Sequence, residues 1–158
     1  MTNEQVIWNF LKEKIGNEYG VAGLMGNLYA ESGLIPTNME NAYEKTLGYT
    51  DATYTAAVDN GTYTKFGSDA VGYGLAQWTY STRKKALLAY AKQKGVSIGD
   101  LNMQLEYLYK ELNESYSSVL KTLKSTTSIE NASNKVLTDF ERPANQSNSV
   151  KTLRAKYG

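Results

Sequence analysis

Apolar positions recur at helical spacing near the start of the chain, lose that rhythm between residues 37 and 80, and regain it afterwards. Thr2 and Gln5 form a capping-box pair with Ile7, Phe10, Leu11 and Ile15 behind it, so a first helix is predicted to run to Gly16. Asn17 can cap a second helix, which carries Val21, Leu24, Met25 and Leu28 and is stopped by Gly33 and Pro36. Along it Ala22, Gly26 and Ala30 repeat every four residues. Such a small-residue strip admits close approach by another helix, which predicts a central, buried position. Beyond the break, Ser81 or Thr82 opens a third helix through Leu87, Leu88 and Ala91 to Gly95. Asp100 caps a fourth, with Leu101, Leu105, Leu108 and Leu112 at helical spacing. Shorter helices are predicted at 115–124, at 129–141 with Pro143 as the stop, and at 148–157.

In the aperiodic stretch Tyr43, Tyr49, Tyr54, Tyr63, Phe66, Tyr73, Trp78 and Tyr80 are scattered among Thr, Asn and Gly. Asn60-Gly61 between Thr- and Tyr-rich flanks predicts a hairpin turn. The expected fold class is mainly α (α+β), with a small loop and β-hairpin lobe inserted between the second and third helices. An aromatic, polar lobe beside a helical core is where a cleft is expected. With no internal repeat or low-complexity linker, residues 1–158 read as one domain, alone or as the N-terminal domain of a longer protein.

Composition narrows the chemistry. The 158 residues suffice for a self-supporting core, and Lys+Arg 17 against Asp+Glu 16 leaves a net charge of +1. That balance argues against nucleic acid or membrane as a partner recruited by net charge. The absence of cysteine and histidine excludes disulfides, thiol nucleophiles, Cys/His zinc sites and a Ser-His-Asp triad. Proton transfer therefore falls to Asp, Glu, Lys or Tyr. No apolar run nears the roughly 20 residues of a membrane span, and the start of the chain lacks a signal-peptide pattern.

Within these limits Glu31 is out of place. It lies seven residues after Leu24 and three after Leu28, on their stripe, in the last turn of the second helix. Desolvation and the negative end of the helix dipole both favour a neutral carboxyl, the form a general acid needs. A carboxylate paired with a buried Lys or Arg explains the same position without chemistry. A second stretch, GYGLAQW at residues 72 to 78, brings glycines that permit close approach to a ligand, an amide for sugar hydroxyls, and aromatic faces that stack on sugar rings. Its competing explanation is a turn with Trp78 in the core. No phosphate-loop spacing follows it.

Taken together, Glu31-Ser32-Gly33 at the end of a small-residue helix, then Pro36, GYGLAQWT and Arg83, resemble the phage tail lysozyme family. That family is similar in turn to goose-type lysozymes and lytic transglycosylases, whose glutamate also precedes a serine and whose later motif is Gly-Leu-Met-Gln. Here the tetrapeptide is Gly74-Leu75-Ala76-Gln77, and FERPA at 140 to 144 resembles the family's closing segment. The resemblance implies a lysozyme-like two-lobed fold with a central buried helix, and a glycosidase that cuts the β-1,4 glycan strands of peptidoglycan. It makes Glu31 the general acid and Tyr73, Gln77, Trp78 and Tyr80 the sugar-groove residues, with no metal or organic cofactor. Glycosidases usually pair two carboxyls, about 5–5.5 Å apart for retention and ~6.5–9.5 Å for inversion. Asp69, just before the motif, is the first choice for the second; Glu40 and Asp51 follow, and Glu44 and Asp59 complete the candidates. A lytic transglycosylase dispenses with it. Glucosaminidase action, a non-catalytic wall-binding module and a structural tail protein are the other readings. Delivery to the wall would be through a holin-type pore, as an endolysin, or within a phage tail.

Overall fold

The computed structural model describes residues 1–142 and 146–158, apart from the side chains of Ala42 and Lys45. Among the described residues the chain is mainly helical and holds no strand, only isolated bridges of Met39 with Tyr73 and Tyr73 with Trp78. It divides into two compact units, Met1–Leu34 with Leu108–Gly158, and Ile35–Tyr107. No described helix is long and apolar enough to cross a membrane.

In the first unit, α1 (Asn3–Ile15) begins at the Thr2–Gln5 capping box and buries Ile7, Leu11 and Ile15. Asn17 opens α2 (Glu18–Ser32) by accepting the Tyr19 N–H, and Gly33 closes it in the left-handed conformation. As expected, α2 is largely buried, but of the strip read from the sequence only Gly26 belongs to the tight helix contacts. Ala30 is exposed and Ala22 half-buried. The residues in tight contact are Gly20, Gly23 and Gly26. A Cβ on them would stand 1.9 Å from the Leu123 carbonyl oxygen, 2.5 Å from the Ala132 Cβ and 2.4 Å from the Arg154 carbonyl oxygen, respectively. A three-residue repeat drifts around a 3.6-residue helix, so these glycines meet three neighbours in turn. They are α7 (Ser117–Ser125), α8 (Ile129–Lys135) and α9 (Asn148–Tyr157). The helix expected at 129–141 keeps its extent but widens into a π-helical turn at Val136–Glu141. The stop expected at Pro143, and the end of the FERPA segment, lie outside the described residues.

The second unit carries a 3₁₀ turn (Asn41–Tyr43), α3 (Glu44–Leu47), α4 (Asp51–Asp59) and α5 (Ser81–Lys94). Where a hairpin was expected there is a helix: Asn60 caps the end of α4, and Gly61 follows at φ 83°. Thr50 and Thr53 form a reciprocal cap at its start, while Tyr54, Thr55, Ala57 and Val58 turn inward. Capping and one-sided burial outweigh the β-propensity of Thr, Tyr and Val. Tyr54, Phe66 and Tyr73 form an aromatic core with ring centroids 5.6–6.1 Å apart. The last long helix, α6 (Leu101–Glu114), starts in this unit and continues in the first; Asp100 Oδ2 accepts the Met103 N–H at 2.8 Å, the cap anticipated there.

Candidate functional site

Glu31 ends α2 with its side chain 17% exposed. Arg154 of α9 donates through Nη2 to Glu31 Oε1 at 2.7 Å and through Nη1 to Asn27 Oδ1 at 3.1 Å. The Asn27 amide nitrogen donates in turn to the Ser133 carbonyl (3.0 Å), the Ser133 hydroxyl (3.1 Å) and the Gly23 carbonyl (3.1 Å). One polar chain thus ties α2, α8 and α9 behind the glutamate. Burial and the helix C-terminus favour a neutral carboxyl, whereas the guanidinium favours the carboxylate; the site sets these against each other. Ser32, beside it, is buried and donates back to the Leu28 carbonyl.

Asp69 has a different setting. Its Oδ1 accepts from the Lys84 ammonium and from the Val71 N–H at 3.0 Å, and its Oδ2 from the hydroxyls of Tyr54 at 2.6 Å and Tyr63 at 2.8 Å. The side chain is 5% exposed. Lys84, wholly buried, also donates to the Val71 carbonyl at 2.7 Å and lies 4.2 Å from the Phe66 ring centroid. Burial pushes its ammonium below the usual lysine value, more than Asp69 pulls it up. Burial, and then Asp69, push the Tyr54 and Tyr63 phenols above theirs. The carboxylate expected to face a cleft is enclosed and shared among four donors, the surroundings of an anchor for the loop.

The 72–78 stretch is a rigid loop. Tyr73 and Trp78 exchange backbone hydrogen bonds of 3.1 and 2.9 Å around Gly74-Leu75-Ala76-Gln77. Gln77 adopts φ 50°, a left-handed conformation unusual for a residue with a Cβ, and its amide donates to the carbonyls of Asn38 (2.8 Å) and Gly74 (3.1 Å). Tyr73 and Trp78, expected on a sugar groove, are 0% and 1% exposed: Tyr73 shares a 2.6 Å hydrogen bond with Thr55, and Trp78 packs on Tyr107. Tyr80 is 55% exposed. Glu40 Oε1 accepts the Gly72 N–H at 2.9 Å, and a Cβ on Gly72 would stand 2.8 Å from Gln77 Oε1 and 3.2 Å from Glu40 Oε1. Gly72 thereby lets Glu40 and Gln77 converge on one spot. Asp51 accepts the Met39 N–H, Asp59 accepts from Ser97 and Ile98, and Glu44 begins α3. Among the described residues no group of three or more Asp, Glu, His or Cys could hold a metal.

Three participants were not picked out from the sequence. Asn27 is one turn before Glu31 on the same stripe, and Lys84 shares the stripe of Leu87 and Ala91, so both positions carried a signal. Arg154, 123 residues from its partner, carried none.

Set against known proteins, the family model described as phage tail lysozyme matches residues 2–157. The chain is also similar to morphogenesis protein 1 of Bacillus phage B103, 25% identical over 162 residues that cover 98% of this chain and 38% of that protein. It therefore spans well under half the length of that relative.

Proposed function

The chain belongs to the phage tail lysozyme family, and from that premise we propose that it is a lysozyme-like cell-wall hydrolase that cuts the β-1,4 glycan backbone of peptidoglycan, muramidase-fashion, with Glu31 as general acid. The observation that carries this reading is the placement of Glu31: a carboxyl at the end of a buried helix, largely withdrawn from water, within the matched segment. In the reaction Glu31 protonates the glycosidic oxygen while oxocarbenium-like charge develops on the sugar.

In this reading Tyr73 and Trp78 stiffen the motif loop from within, and Gln77 and Tyr80 are its sugar-facing members. Tyr80 offers an exposed ring, and Gln77 an acceptor oxygen beside Glu40. Asp69 holds Lys84 and two phenols and is assigned to the scaffold. Glu40 is half-buried and accepts one backbone N–H, that of Gly72. The wall is reached through a holin-type pore or as part of a phage tail.

The ion pair with Arg154 favours a second reading, a wall-binding module, because a buried Arg–Glu pair can join helices without doing chemistry. Digestion of purified peptidoglycan followed by mass spectrometry of the fragments, with and without borohydride reduction, tests the proposal. Reducible muramic acid ends are expected. Reducible glucosamine ends or anhydro ends reassign the bond or the mechanism to a glucosaminidase or a lytic transglycosylase, and uncut glycan strands overturn the enzyme reading.

A further inference from the structure

We infer that Arg154 is a positioning residue for Glu31, and that α9 is seated to deliver it; the inference rests on the proposed role of Glu31. Three observations bear on it. First, the guanidinium is a two-pronged bridge, one nitrogen on Glu31 Oε1 at 2.7 Å and another on the buried Asn27 amide oxygen at 3.1 Å, so its orientation is set before any substrate arrives. Second, Asn27 is itself held by three hydrogen bonds to Ser133 and Gly23, which fixes the far end of the bridge. Third, the α9 backbone is pressed onto Gly26. Any Cβ there would stand 2.4 Å from the Arg154 carbonyl oxygen and 2.8 Å from the Gly158 nitrogen. The main chain that carries the arginine is thus docked five residues before the glutamate on α2.

The chemistry gives this arrangement a direction. A neutral Glu31 receives a hydrogen bond from the cationic Arg154 donor, with no opposite charge on the acceptor. Once the acid has released its proton to the leaving oxygen, the same contact becomes an ion pair and gains the attraction between opposite charges. The interaction therefore grows along the reaction coordinate and lowers the barrier instead of tightening substrate binding. The cation also holds the carboxyl in one rotamer, so its proton is aimed. Arg154 acts through Glu31 and need not touch the glycan.

The experiment compares wild type, Arg154→Met and Arg154→Lys of the full chain on soluble, uncross-linked peptidoglycan fragments. Turnover is read by mass spectrometry and normalised to the folded fraction from circular dichroism. Removing one preorganised donor costs about 10²–10³-fold when it contacts the reacting oxygen itself, so an indirect one is expected to cost ~10–100-fold in kcat with KM nearly unchanged. Arg154→Lys keeps the charge but not the fork that reaches Asn27 and Glu31 together, and is expected to fall between. Gly26→Ala, which pushes α9 outward, is expected to lower kcat in the same sense and to add little on top of Arg154→Met. A purely structural Arg154 would change the melting temperature and leave kcat per folded molecule alone. A folded Arg154→Met with kcat within twofold of wild type overturns the inference. Where that variant does not fold, a wild-type kcat for Arg154→Lys overturns the two-pronged hold. A wild type that cuts no glycan overturns the functional reading and this one with it, whereas an active wild type beside an undiminished Arg154→Met overturns this one alone.

Discussion

Replacing Asp69 with Leu and Lys84 with Met, singly and together, tests whether the second unit is organised around a buried ion pair. Asp69→Leu strands the Lys84 ammonium in an apolar site and takes the acceptor from the Tyr54 and Tyr63 hydroxyls and the Val71 N–H. Breaking a buried pair from one side costs about 3–5 kcal/mol, and three further orphaned donors put this variant at the upper end. Lys84→Met leaves Asp69 three neutral donors, so its loss is expected near the lower end, about 3 kcal/mol. In the double variant neither charge remains buried alone. Its cost is expected to be roughly 2–4 kcal/mol, well short of the sum of the singles, because an apolar pair of similar volume often replaces an ionic one without loss. Urea unfolding of the four proteins reads this as shifts of the midpoint at constant m-value. A single-variant cost under about 1 kcal/mol, or a double variant that costs the full sum, refutes the anchor role and returns Asp69 to the candidates for catalysis.

Other outcomes follow from the packing and the buried phenols. Gly20→Ala places a methyl 1.9 Å from the Leu123 carbonyl oxygen, and a loss of at least ~2 kcal/mol is expected in a thermal melt; an unchanged melting temperature contradicts the contact. Thr50→Ala removes the cap of α4 and is expected to cost about 1 kcal/mol by urea unfolding, an effect that a hairpin at this position would not show. Burial holds the phenol of Tyr73 above its ordinary value, as burial and Asp69 do that of Tyr54. Above about pH 10 the unfolded chain therefore binds fewer protons than the folded one, so stability complete below that pH declines as pH rises through it. Lys84, shifted down, has the opposite sign and adds stability only up to its unfolded value. Urea midpoints at pH 10 and pH 11, with absorbance at 295 nm, check this: a lower midpoint and late-titrating phenols are expected, and a flat midpoint contradicts it.

How far the sequence could be read depended on where the signal was local. The caps at Thr2, Asn17 and Asp100, and the stops at Gly16, Gly33 and Gly95, each act within a few residues, and the helices they bound stand where the spacing put them. At α4 the residues favour strands, and the reciprocal Thr50–Thr53 cap that overrides them looks like any Thr-rich loop. Tyr73 and Trp78 illustrate a second limit: an aromatic beside glycines has the same sequence signature on a sugar groove as in a core, and in this chain both rings are buried. The position of Glu31 could be read because it interrupts an apolar stripe. Its partner could not, since a guanidinium 123 residues away leaves no mark in local periodicity.

The central claim is that the Glu31 carboxyl performs the proton transfer. Glu31→Gln keeps the size of the side chain and an acceptor for Arg154, so the fold and the α2–α9 contact are expected to survive, as circular dichroism and melting temperature would show. An amide has no proton of comparable acidity to give, and release of soluble fragments from purified peptidoglycan sacculi is expected to fall at least ~10²-fold below wild type. Release by a folded Glu31→Gln protein at the wild-type rate would contradict the account.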